Sequence, residues 1–102
     1  MEIVKVIEME TIDRDYIQFL NFELISYKSI LSHILLEKTK GYSYSVENYK
    51  HFMNEYKEAE IKYNLAHMAF VRKYAPEYYG NLDYEVNYEF ETREMIIRKG
   101  DK

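Results

Sequence analysis

Across residues 11–40, apolar side chains return every three or four positions. Turned by about 100° per residue, Ile12, Tyr16, Phe19, Leu20, Leu24, Tyr27, Ile30, Leu31 and Ile34 fall on one broad stripe, the mark of a helix with a core-facing side. Thr11 or Asp13 can cap its start, Asp13 and Asp15 place acid in the first turn, and Lys38 and Lys40 precede Gly41, a helix-stop residue. The stretch Gly-Tyr-Ser-Tyr-Ser at 41–45 then links to a second helix over residues 45–75, with Ser43 or Ser45 as cap and Pro76 and Gly80 as stops.

The second helix carries an aromatic every seventh residue, Tyr49, Tyr56, Tyr63 and Phe70, a series that Tyr42 extends backwards. Three positions further on stand Phe52, Ala59 and Ala66, so large rings and small residues alternate along a seam that lets two helices approach closely. Ile61, Leu65 and Met68 lie nearly opposite that ladder. A helix apolar on two opposite sides needs two partners. The first helix, held antiparallel by the short linker, covers one side; the C-terminal segment or another chain must cover the other.

Residues 81–99 carry two conflicting patterns. Leu82, Tyr84, Val86, Tyr88 and Phe90 alternate with polar residues, as in a strand. Asn81 as a cap, Gly100 as a stop and the i,i+4 pairs Glu89/Arg93 and Glu94/Arg98 argue for a helix. The end signals and pairs cover the whole segment and the alternation only half of it, which favours the helix. If the segment is a strand instead, residues 2–9 can pair with it antiparallel. The expected fold is therefore a single, mainly α domain: an N-terminal extension at 1–10, a long antiparallel helical hairpin, a third element at 81–99, and a bundle completed by self-association.

Composition narrows the function classes. A chain of 102 residues, 47% hydrophobic and 31% charged, has room for one core, and pairing with another copy would add to a modest stability. There is no cysteine, hence no disulfide framework or thiolate metal site, which agrees with a cytoplasmic location. The N-terminus lacks the apolar core of a secretory signal, and no apolar run approaches the length of a membrane span. Net charge is −4 with scattered lysines and arginines, so no basic footprint for direct nucleic-acid binding is present.

Three ionisable residues fall where apolar ones belong: Glu23 in the stripe of the first helix, and Glu60 and His67 in the ladder stripe of the second. With the hairpin turning near residue 42, position 23 lies opposite about position 62. Tyrosine hydroxyls and His67 can satisfy the two glutamates as a polar network. Alternatively, a second copy doubles the set into a carboxylate-rich site for a divalent metal, although the Glu-x-x-His spacing of di-iron bundles is missing. His33/Glu37 and Glu47/His51 mirror each other across the turn and could hold zinc, but such i,i+4 pairs are more often solvated.

Neither a nucleophile elbow nor a phosphate-cradling glycine loop is present, so an enzyme of this sequence would be metal-dependent. The acidic run Asp83, Glu85, Glu89, Glu91 and Glu94 reads as a solvated face, or as a decoy for a nucleic-acid-binding protein. The expected function is non-enzymatic: a small interaction or assembly protein, an inhibitor or adaptor, with no cofactor required. It would act through a second copy and a protein partner, using the ladder or the Ile61/Leu65/Met68 side.

Overall fold

The computed structural model describes residues 2–39 and 46–100, with side chains over 2–36 and 49–100. Five regular elements follow in order: strand β1 (Glu2–Glu8), helix α1 (Thr11–Thr39), helix α2 (Val46–Tyr74), strand β2 (Tyr84–Glu89) and strand β3 (Glu94–Lys99). A 3-10 turn, Pro76–Tyr78, stands between α2 and β2. The Gly41 stop, the Ser43 or Ser45 cap, Tyr42 and the Glu37 and Glu47 side chains lie outside the described residues.

The fold is α+β, which corrects the mainly α, all-helical expectation. The third element is a β-hairpin, and the presumed N-terminal extension is a strand. The sheet runs β1-β3-β2, antiparallel throughout, with β3 in the middle. Every residue of β2 is in register with β3, from Tyr84 opposite Lys99 to Glu89 opposite Glu94. Strand β1 pairs from Glu8 opposite Glu94 to Glu2 opposite Lys99, with an irregularity between Ile3 and Lys5 that leaves Val4 as the extra residue of a bulge.

The signals that pointed to a helix serve other structures. Asn81 Oδ1 accepts the Asp83 N–H at 3.0 Å, an Asx turn rather than a helix cap. Arg93, expected to pair with Glu89 along a helix, instead reaches Glu8 at the end of β1 and donates to Thr11 Oγ1 at 2.8 Å. Gly100 N donates to Asp83 O at 2.7 Å, closing the open end of the β2–β3 hairpin. An ordered ladder on both sides of β3 outweighs end signals and i,i+4 pairs worth a few tenths of a kcal/mol each.

The chain forms two compact units, one of residues 1–18 and 65–102 and the other of residues 19–64. The first holds the sheet, the opening turns of α1 and the closing turns of α2. Its buried side chains are Met9, Ile17, Ala66, Val71, Ala75, Met95 and Ile97. Tyr74 Oη accepts the Glu10 N–H at 2.9 Å and donates to Asp13 Oδ2 at 2.5 Å, while Lys73 Nζ reaches the same carboxylate at 2.6 Å. Asp13 thus ties two helix ends together instead of capping its own helix, and the first helical carbonyl belongs to Glu10. The second unit is the helical hairpin, with Leu20, Leu31, Ile34 and Ala59 buried.

Candidate interaction surfaces

In the hairpin unit the tyrosine ladder is half-buried: Tyr49, Tyr56 and Tyr63 are each partly covered, with Ala59 buried between the last two. None of these rings lies bare. Burial pushes the Tyr63 phenol above its ordinary pKa. Tyr27 on α1 donates to Glu55 Oε2 on α2 at 3.3 Å, and its phenol is raised first by desolvation and then by the charge of Glu55.

The apolar side chains of α1 do not all point inward. Leu20, Leu31 and Ile34 are buried, but Phe19 and Phe22 keep 61% and 69% of their surface exposed, Ile25 56%, Ile30 38% and Leu36 52%. These five fall within an arc of about 140° on the side of α1 away from the buried three. Part of that arc is an open groove of about 370 Å³ lined by Phe19, Phe22, Glu23, Ser26, Tyr27 and Ile30. Ser26 Oγ donates to Phe22 O at 2.8 Å, so its hydroxyl is turned back onto the helix and a small surface remains at the groove's centre. On α2, Ile61 is exposed at 59%.

In the sheet unit, Phe70 meets Tyr16 edge-on at 6.3 Å and Tyr74 at 6.5 Å. Leu65 and Met68 are exposed. His67 shares a 2.6 Å hydrogen bond between Nδ1 and Tyr88 Oη, and the two rings meet edge-on at 5.6 Å. Burial holds His67 below its ordinary pKa, so at neutral pH it is an uncharged imidazole. It borders a cavity of about 250 Å³ together with Met68, Val71, Tyr78, Tyr84 and Val86. Beside this cavity the Arg72 guanidinium lies 4.4 Å over the Tyr79 ring and donates to a Tyr79 hydroxyl oxygen at 2.5 Å.

Glu23 is half-buried in the groove beside Tyr27, Glu60 is exposed, and His67 belongs to the sheet unit with Tyr88. Among the described residues, no group of three or more histidine, aspartate or glutamate side chains is arranged to hold a metal ion. His51 is exposed and meets Phe52 at 5.4 Å, while its expected counterparts Glu37 and Glu47 are outside the described side chains.

In the acidic run, Glu85 and Glu89 alternate outward on β2, Asp83 and Glu91 are exposed beyond its ends, and Glu94 is half-buried on β3. Charges on an edge strand discourage pairing with a foreign strand. No described helix is long and apolar enough to cross a membrane.

The stripe read from the sequence left out Phe22 and Ile25, which are exposed, and placed Phe19 and Ile30 in the interior. The signal was there: with Phe22, Ile25 and Leu36 added, α1 is apolar around most of its circumference, which a two-helix hairpin cannot cover. The chain matches no protein-family profile, no curated protein and no solved structure.

Proposed function

We propose that the protein is a non-enzymatic assembly module whose helical hairpin binds a second copy of itself. The observation that carries this reading is the exposed apolar arc of α1. At roughly 150–200 Å² per side chain, Phe19, Phe22, Ile25, Ile30 and Leu36 leave roughly 450 Å² of apolar surface in water. Two such faces brought together supply roughly 900 Å² of the roughly 1,600 Å² buried in a standard interface.

Light scattering across a concentration series tests the proposal. The wild type is expected to sediment and scatter as a dimer or larger species at micromolar concentration. Phe22→Glu places a charge in the centre of the face and is expected to shift the protein to monomer with unchanged helix content by circular dichroism. A wild-type monomer at high micromolar concentration would overturn the proposal.

A further inference from the structure

In the open cavity of the sheet unit, the geometry points to a binding site for a small uncharged aromatic molecule of one or two rings, seated against Tyr78 and Tyr84 and covered by Leu82. Every residue lining that cavity falls within 67–86, so the site lies inside one compact unit and is independent of self-association by the hairpin.

Charge selects the class of ligand. Ten described residues line the cavity and none carries a charge at neutral pH, in a chain of which 31% is charged. His67 is kept uncharged by its burial, and its Nδ1 shares a 2.6 Å hydrogen bond with Tyr88 Oη. Arg72 does not line the cavity, and its guanidinium lies over the Tyr79 ring at 4.4 Å. A carboxylate or ammonium in the cavity would lose hydration without gaining a counter-charge.

The walls narrow the class further. The Tyr78 and Tyr84 rings stand 4.8 Å apart with their planes at 65°, which makes a corner. A flat ring entering it can stack along one tyrosine and meet the other edge-on, the two arrangements that aromatic pairs prefer. The Met68 thioether adds a sulfur contact, and Val71 and Val86 supply aliphatic wall. An apolar cavity of about 150 Å³ holds benzene. At about 250 Å³ this one has room for a fused pair of rings.

The rim supplies a separate observation. Leu82 leaves 91% of its surface in water, the most of any large apolar side chain among the described residues. Its loop is tied from both sides: the Asn81 N–H donates to Tyr78 O at 3.1 Å, the Tyr84 N–H donates to Asn81 O at 3.3 Å, and Asn81 Oδ1 accepts the Asp83 N–H at 3.0 Å. The leucine is thus held in water at the edge of an apolar cavity, and a ligand seated there takes that side chain out of water as well.

Titration of the isotope-labelled full chain with indole, followed by two-dimensional NMR, tests the site. Saturable shifts are expected at the amides of residues 67–71 and 78–86, with a Kd of roughly 0.1–1 mM for a molecule of about nine non-hydrogen atoms. Indoleacetate, the same rings bearing a carboxylate, is expected to bind roughly tenfold more weakly or worse. Leu82→Ser alters an exposed loop position and is expected to weaken indole binding by roughly threefold to tenfold. Val86→Phe fills the cavity and is expected to abolish it. Shifts that do not saturate, that centre on residues 19–30, or that are as strong with indoleacetate would overturn the proposal. An unchanged indole affinity in folded Leu82→Ser would overturn it too.

Discussion

Asp13 accepts from Lys73 and from Tyr74, and Tyr74 in turn accepts the Glu10 N–H, so a single carboxylate organises two helix ends. The Lys73 ammonium, and next the Tyr74 hydroxyl, hold the Asp13 carboxyl below its ordinary range. Because the folded-state pKa lies below the unfolded value of about 3.9, the contribution is complete above that value and is lost as pH falls through the folded pKa. Chemical denaturation between pH 2 and 6 is expected to show this acid loss in the wild type and a flatter profile in Asp13→Asn. That variant should be about 1 kcal/mol less stable at neutral pH, after allowing for solvent around the pair.

Arg93 poses a different local problem, because it holds φ at 59° while reaching Thr11 and Glu8. A left-handed conformation costs a non-glycine residue roughly 1–2 kcal/mol. Arg93→Ala loses the contacts and keeps the strain, whereas Arg93→Gly loses the contacts and releases it. Urea titration is expected to rank wild type first where the contacts outweigh strain, and in any case to place the glycine variant about 1 kcal/mol above the alanine variant.

At the scale of elements, β3 is the piece on which the sheet unit depends. It is paired on both sides, and Met95 and Ile97 are completely buried while Ile96 and Arg98 between and beside them are half-exposed. This period of two is what a strand produces; a helix through 94–99 would place Met95 and Ile97 about 200° apart. Ile97→Ala is expected to cost about 2–5 kcal/mol in denaturant unfolding, and Ile96→Ala far less. Equal losses at 96 and 97 would contradict the strand assignment.

The helices answer to different demands along their length. Ile17, absent from the stripe read off the sequence, is completely buried in the sheet unit. In the hairpin unit the inward side of α1 is carried by Leu20, Leu31 and Ile34. At 100° per residue Ile17 lies about 40° from Leu31 and 60° from Leu20, so it sits at the edge of the stripe read from the sequence.

For the whole molecule, self-association links stability to concentration. Burying the α1 face in a second copy stabilises the folded chain by mass action, so the melting temperature of the wild type is expected to rise as protein concentration is raised from low to high micromolar. Phe19→Glu combined with Phe22→Glu should remove that dependence while leaving a cooperative transition. Scanning calorimetry over a hundredfold concentration range measures both. A wild-type melting temperature independent of concentration would count against the assembly reading.

The positions of the two helices were legible in the sequence alone. Glycine, proline and capping residues act through local backbone preference, and a period of about 3.6 follows from helix geometry whatever lies nearby. The half-buried ladder at Tyr49, Tyr56 and Tyr63 was legible on the same ground. The sheet was not, because Asn81, Gly100 and the charged pairs are compatible with either state, and only the arrival of residues 2–8, some ninety positions away, satisfies the backbone groups of β3 on its second side. The outward turn of Phe19, Phe22 and Ile30 was likewise decided in three dimensions: sequence sets which residues are apolar, but which of several apolar sides is covered depends on the neighbours that the fold supplies.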